Sequence, residues 1–129
     1  MISHEGTVKL LDLGLARLTQ DDDNSLNDLT STGQIMGTIN YMAPEQAAGQ
    51  KDVGITADIY SLGATLYRFL AGQIPFSGEK YQTVIAKLSA LANETPTPLC
   101  EIRPEIPKSL ESIVHRMLSK DPARRFAQP

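Results

Sequence analysis

The sequence predicts a mainly α-helical domain with a residual β-hairpin at its N-terminus. Three observations carry this. Two segments, Thr56 to Leu70 and Lys108 to Leu118, repeat apolar residues at helical spacing, and a third, Glu79 to Leu91, does so around Tyr81, Val84, Ile85 and Leu88. Only one segment, "TVKLLDLG", reads as a strand. With 129 residues, 41% hydrophobic and 21% charged, the chain has the size and composition of one globular domain.

Taken in order, His4-Glu5-Gly6 is a turn signal before the Thr7 to Leu11 strand, so a hairpin is implied, but only Met1, Ile2 and Ser3 precede the turn. Thr19 to Gly33 is polar, acidic and turn-forming, with Leu26 and Leu29 its apolar residues, and is expected to be a mobile loop. In the next segment Thr56 is the expected N-cap, and Ile59, Leu62, Leu66, Phe69 and Leu70 form the apolar face. Ala57, Gly63 and Ala64 leave the other face small, so this helix is expected to be central, with Gly72 as its C-terminal stop. The Glu79 to Leu91 helix follows. Four prolines make "NETPTPLCEIRPEIP" an expected irregular connector. Leu110, Ile113, Val114, Met117 and Leu118 then mark the last amphipathic helix.

Composition excludes several function classes. No apolar run approaches the ~20 residues that cross a bilayer, and "MISHEGTVKL" lacks the pattern of a signal peptide, so a cytoplasmic location is expected. A net charge of −3 argues against nucleic acid as a partner. The charge is unevenly placed, with six acids against two bases up to Thr30 and five bases against two acids from Lys108 onward. Cys100 is the single cysteine and reads as an inert, half-buried thiol. His4 reads as a turn residue and His115 as an exposed helix residue, neither with a metal-like partner.

"MGTINYMAPEQ", Met36 to Gln46, fits neither strand alternation nor helix periodicity. It is one of five motifs in a fixed order: Asp12-Leu13-Gly14, then after 22 residues Gly37-Thr38, then Ala43-Pro44-Glu45, then "DIYSLG" from Asp58 to Gly63, then "KDPARRF" from Lys120. Each alone carries little. Asp-Leu-Gly is an ordinary turn, Pro-Glu an ordinary helix start, and Asp58 an ordinary first-turn carboxylate favoured by the helix dipole. Together, over essentially the whole chain, they resemble the large lobe of a serine/threonine protein kinase, and "YMAPEQ" with "DIYSLG" is most similar to bacterial members.

The resemblance implies a kinase-like C-terminal lobe truncated at both ends, with residues 12–45 as activation segment, 46–129 as helical lobe, and the small lobe and catalytic loop absent. It implies transfer of the ATP γ-phosphate to protein Ser or Thr hydroxyls by the intact kinase, with Mg²⁺ and ATP as cofactors and no activity in these 129 residues alone. Asp12 is the implied metal ligand, since a hard cation takes carboxylate oxygen, and Gly14 the flexible neighbour in the cofactor site. Leu13 stands where the family usually has Phe. Gly37 and Thr38 are implied to receive the substrate, with the Thr38 hydroxyl facing the catalytic aspartate. Thr30, Ser31 and Thr32 are the implied regulatory phosphorylation sites. Glu45 is expected to pair with Arg125 in a bidentate contact, with Arg124 as the neighbouring alternative. Asp58 is implied to accept hydrogen bonds from the catalytic-loop backbone. The alternative function is a non-catalytic kinase-like protein-binding module, or the product of a decayed gene, using the surface around Thr38 and the Glu79 to Leu91 helix. Loss of cover over the Thr7 to Leu11 strand and the central helix predicts self-association.

Overall fold

The computed structural model of the chain describes residues 37–129, and the expected hairpin, its strand and the loop expected from Thr19 to Gly33 lie outside them. Among the described residues all regular structure is helical: α1 (Pro44–Ala47), α2 (Ile55–Ala71), a 3-10 turn (Glu79–Tyr81), α3 (Val84–Asn93), α4 (Leu99–Ile102), α5 (Lys108–Met117) and a second 3-10 turn (Pro122–Arg124). The long α2 is the axis. It packs against α5, α4 and the Pro122–Arg124 turn, while α1 packs against α3.

The first residue of α2 is not where a side-chain cap would put it. Its N-cap is Gly54, which makes no side-chain cap bond, and Thr56 lies inside the first turn beside Asp58. The C-terminal end is as expected, because Gly72 takes the left-handed conformation at φ 73° and returns its N–H to the Arg68 carbonyl. The apolar face expected to be buried is corrected at two positions, Leu62 and Phe69. Ala57, Ile59, Tyr60, Gly63, Ala64 and Tyr67 are buried, whereas Leu62 and Phe69 are exposed, Phe69 by 75%. A small residue is required on that face where α5 comes close. A Cβ built on Gly63 would lie 2.7 Å from the Met117 Cβ, an atom fixed to the α5 backbone.

The segment expected as one helix from Glu79 to Leu91 is broken. Gln82 and Thr83 separate the 3-10 turn from α3, because Thr83 takes an extended conformation and its hydroxyl accepts the Ala86 N–H at 3.1 Å. Tyr81, Val84 and Leu88 pack on the core, but Ile85 is exposed. The proline-rich connector contains a helical turn, α4, whose Leu99 is fully buried. Helix α5 matches its expected range to one residue, with Val114, Met117 and Leu118 buried and Ile113 half-exposed.

The core joins these elements through Ile39, Ala43, Tyr60, Ala64, Tyr67, Phe76, Ala90, Leu91, Leu99, Val114 and Leu118. The Tyr67 hydroxyl donates to the Thr97 carbonyl at 2.8 Å, so the proline-rich connector is tied to α2. Phe76 is buried with φ 55°, a backbone region where a bulky residue is uncommon. Its ring holds the position: Tyr81 packs edge-on at 5.8 Å and the Lys120 ammonium sits 4.5 Å from its centroid. Cys100 is half-buried and its thiol donates to the Ile106 carbonyl at 3.2 Å; burial, then the Glu111 contact, pushes the thiol above its ordinary pKa. His115 is only partly exposed, and its Nε2 is enclosed without a hydrogen-bond partner among the described residues, which corrects its reading as an exposed residue.

Candidate functional site

The segment from Gly37 to Glu45 is an irregular strap laid across α2. Residues 37–39 make a helical turn in which Gly37 and Thr38 are exposed and Ile39 is buried in the core. Tyr41 N–H and Met42 N–H then bond the Thr38 and Ile39 carbonyls at 3.2 and 3.3 Å, which satisfies a stretch that belongs to no regular element. Ala43 is fully buried and its N–H is accepted by the Gln46 side chain at 2.9 Å, so the strap enters α1 with Pro44 in the first turn.

Glu45 and Arg125 are brought together. Arg125 Nη1 lies 2.6 Å from Glu45 Oε1 and Nη2 lies 2.8 Å from Oε2, the fork-to-fork geometry of a bidentate pair. Both side chains are buried, to 0% and 5% exposure. Burial pushes the Glu45 carboxyl up, but the Arg125 hydrogen bonds, a backbone hydrogen bond and the guanidinium charge outweigh it and hold the carboxyl below its ordinary value. The remaining guanidinium donors reach the Thr56, Lys120 and Ser119 carbonyls at 2.9, 3.1 and 2.8 Å. With these bonds all five N–H donors of Arg125 have acceptors. The guanidinium also lies over the Tyr60 ring, 5.0 Å from its centroid. Arg124 is exposed and takes no part.

Three contacts not foreseen from the sequence hold the strap from the side. Ser61 Oγ donates to the Tyr41 carbonyl at 2.8 Å. The Arg68 guanidinium donates to the Tyr41 hydroxyl, and the Lys87 ammonium donates to Asn40 Oδ1. Ser61 and Arg68 are seven residues apart on α2 and so share a face. That spacing was the available signal, but nothing in the sequence says that the strap crosses that face. Lys87 is buried on α3, and burial alone lowers its pKa from the ordinary lysine value.

Asp58 is exposed in the first turn of α2, and its side chain makes no hydrogen bond to another described residue. Asp12, Gly14, Thr30, Ser31 and Thr32 lie outside the described residues. No helix of the described residues is long and apolar enough to cross a membrane.

Known proteins place this arrangement. Residues 1–128 match the protein kinase domain family. The chain is similar to a probable serine/threonine-protein kinase PknB of Bifidobacterium longum, 36% identical over 127 residues that cover 98% of this chain and 17% of that protein. It is equally similar, at 36% identity, to the serine/threonine-protein kinase PknB of Mycolicibacterium smegmatis, over 126 residues covering 98% of this chain and 19% of the relative. The serine/threonine-protein kinase PrkC of Bacillus subtilis matches at 36% over 129 residues, 98% of this chain and 18% of that protein. The chain thus spans less than a fifth of the length of these curated relatives. With the Glu45–Arg125 pair and the strap it anchors, the match over nearly every residue means that this chain belongs to the protein kinase domain family.

Proposed function

We propose that the chain is the substrate-facing part of a bacterial-type serine/threonine protein kinase, which transfers the ATP γ-phosphate to protein Ser or Thr hydroxyls in the cytoplasm. The observation that carries the reading is the strap: Thr38 is exposed on a segment whose C-terminal end is clamped through Glu45 to Arg125 and whose middle is bonded to α2. Phosphoryl transfer depends on positioning and electrostatics, and both need a rigid platform for the acceptor segment. In this reading residues 12–45 are the activation segment and 46–129 the helical lobe. Gly37 and Thr38 receive the acceptor, Thr38 facing the catalytic aspartate, and Thr30, Ser31 and Thr32 take regulatory phosphate. Asp58 orders the catalytic loop. Asp12 would hold Mg²⁺ through its carboxylate and Gly14 would let the chain approach the nucleotide; the bound metal would supply neutralisation of charge on the ATP phosphates.

Transfer of labelled phosphate from ATP to a generic protein substrate tests this. The full-length protein is expected to be active and its Asp12→Asn variant inactive, while the 129-residue chain alone, with one implied metal ligand and no nucleotide lysine in the resemblance, transfers none. Substrate binding without transfer by the full-length protein would instead favour the non-catalytic module. Ile55, Leu62 and Phe69, exposed on α2, support self-association of the isolated chain, which sizing chromatography reads directly.

A further inference from the structure

Two polar side chains of the strap, Asn40 and Tyr41, each accept a hydrogen bond from a cation. Lys87 carries no acceptor, so its bond fixes Asn40 Oδ1 toward the ammonium and leaves the Asn40 amide N–H groups directed elsewhere, without an acceptor among the described residues. Next in the chain, the Tyr41 hydroxyl accepts from Arg68, an exposed side chain of α2. Two cations therefore touch consecutive residues of the strap, within one turn of Thr38. Among the described residues neither forms an ion pair with a carboxylate, whereas Lys80, Arg103 and Arg125 each do.

We propose that this face selects protein substrates with acidic residues beside the acceptor hydroxyl, and that Arg68 is the specificity-determining residue. A peptide carboxylate fits, in charge and in geometry, a guanidinium that pairs with no carboxylate among the described residues, since the planar fork takes two oxygens. Lys87 acts behind it as a positioning residue, orienting the Asn40 amide, and adds its charge to the same face. The lowered proton affinity of the buried Lys87 agrees with an ammonium that has no carboxylate partner among the described residues. A basic peptide would meet like charge here, and like-charge juxtaposition suppresses wrong partners.

The inference rests on the strap being the acceptor platform, so its test reads binding and transfer separately. Serine peptides of equal length, one set flanked by Asp and Glu and one by Lys and Arg, are titrated into the full-length protein by fluorescence anisotropy and offered as substrates with labelled ATP. The wild type is expected to prefer the acidic set in both assays, and the preference to shrink as salt rises. Arg68→Glu should lower the acidic-to-basic ratio of kcat/KM and of affinity by at least about tenfold, with Arg68→Gln between the two. A fold requirement alone would not move that ratio. Transfer without charge preference, or a preference that Arg68→Glu leaves intact, overturns the proposal while the kinase reading stands. Acidic binding that depends on Arg68 but is followed by no transfer supports the surface and overturns the kinase reading. If acidic peptides bind only after Thr30, Ser31 and Thr32 are all replaced by Ala, the cations serve the chain's own phosphorylated residues and the proposal falls.

Discussion

Two carboxylate–cation pairs in this molecule have nearly the same length and opposite surroundings. Arg125 and Glu45 meet at 2.6 Å with 0% and 5% of their side chains exposed. Lys80 and Glu94 meet at 2.8 Å with 69% and 34% exposed. Distance does not distinguish them. The difference is in what else each partner has: Arg125 also serves three backbone carbonyls and Tyr60, so removing Glu45 leaves a buried charge with an empty side. Lys80 and Glu94 can each return to water at little cost. A short contact is thus a structural element only where solvent cannot replace the partner.

Glu45→Ala is expected to be the most damaging change, costing about 3–5 kcal/mol, because it strands a desolvated guanidinium. Chemical denaturation reads this, and replacing Glu45 and Arg125 together by Leu and Met should recover part of the loss. An unchanged melt for Glu45→Ala would make the two pairs equivalent and remove the contrast. Next is Gly63→Ala, which places a methyl 2.7 Å from the Met117 Cβ and forces α2 and α5 apart. We expect about 1–3 kcal/mol of destabilisation, an overpacking cost with no charge involved. If it costs more than Glu45→Ala, helix contact and not the ion pair dominates the α2 surroundings.

Acid sharpens the comparison further. The folded Glu45 carboxyl lies below its ordinary value of 4.5, so its contribution is complete above that pH and is lost as pH falls through the depressed folded value. The wild type should therefore lose stability below about pH 4.5 more steeply than the Glu45→Leu, Arg125→Met double variant. Parallel acid profiles for the two would mean that other carboxylates set the slope. Removing the Thr83 hydroxyl, which caps α3, is expected to cost about 1 kcal/mol in Thr83→Ala. Smallest of all, Lys80→Ala should leave the melting temperature at the wild-type value, and a clear drop there would show that the exposed pair is more than a surface contact.

What was legible in the sequence follows from how local each signal is. Helix α5 could be bounded closely because its pattern spans its whole length, and the Gly72 stop because a left-handed residue at a helix end is a local requirement. The Glu45–Arg125 pairing was legible only through resemblance, since 80 residues separate the two and no local rule links them. The face of α2 was misread at Leu62 and Phe69, which are exposed, while Ile59 is buried and Leu66 and Leu70 pack on the core. Helical spacing marks which residues share a face but not which face meets a neighbour, and here Tyr60 and Tyr67 enter the core and Gly63 stands where α5 approaches most closely. The break between Tyr81 and Val84 was missed because Thr83 suits a cap as well as a helix interior, and only packing of the 3-10 turn on Phe76 distinguishes them.

The sequence by itself determined the helical character of the chain, its family and the motif order, because periodicity and short motifs are properties of neighbouring residues. Only the tertiary structure decided that Phe76 would hold a left-handed backbone, that Arg125 would spend every donor on one buried junction, and that Ser61, Arg68 and Lys87 would converge on the strap. These depend on two helices and an irregular segment arriving at one place. Side chains with no mutual sequence signal can be paired only after the packing of the core has set which backbones lie within a side chain's reach.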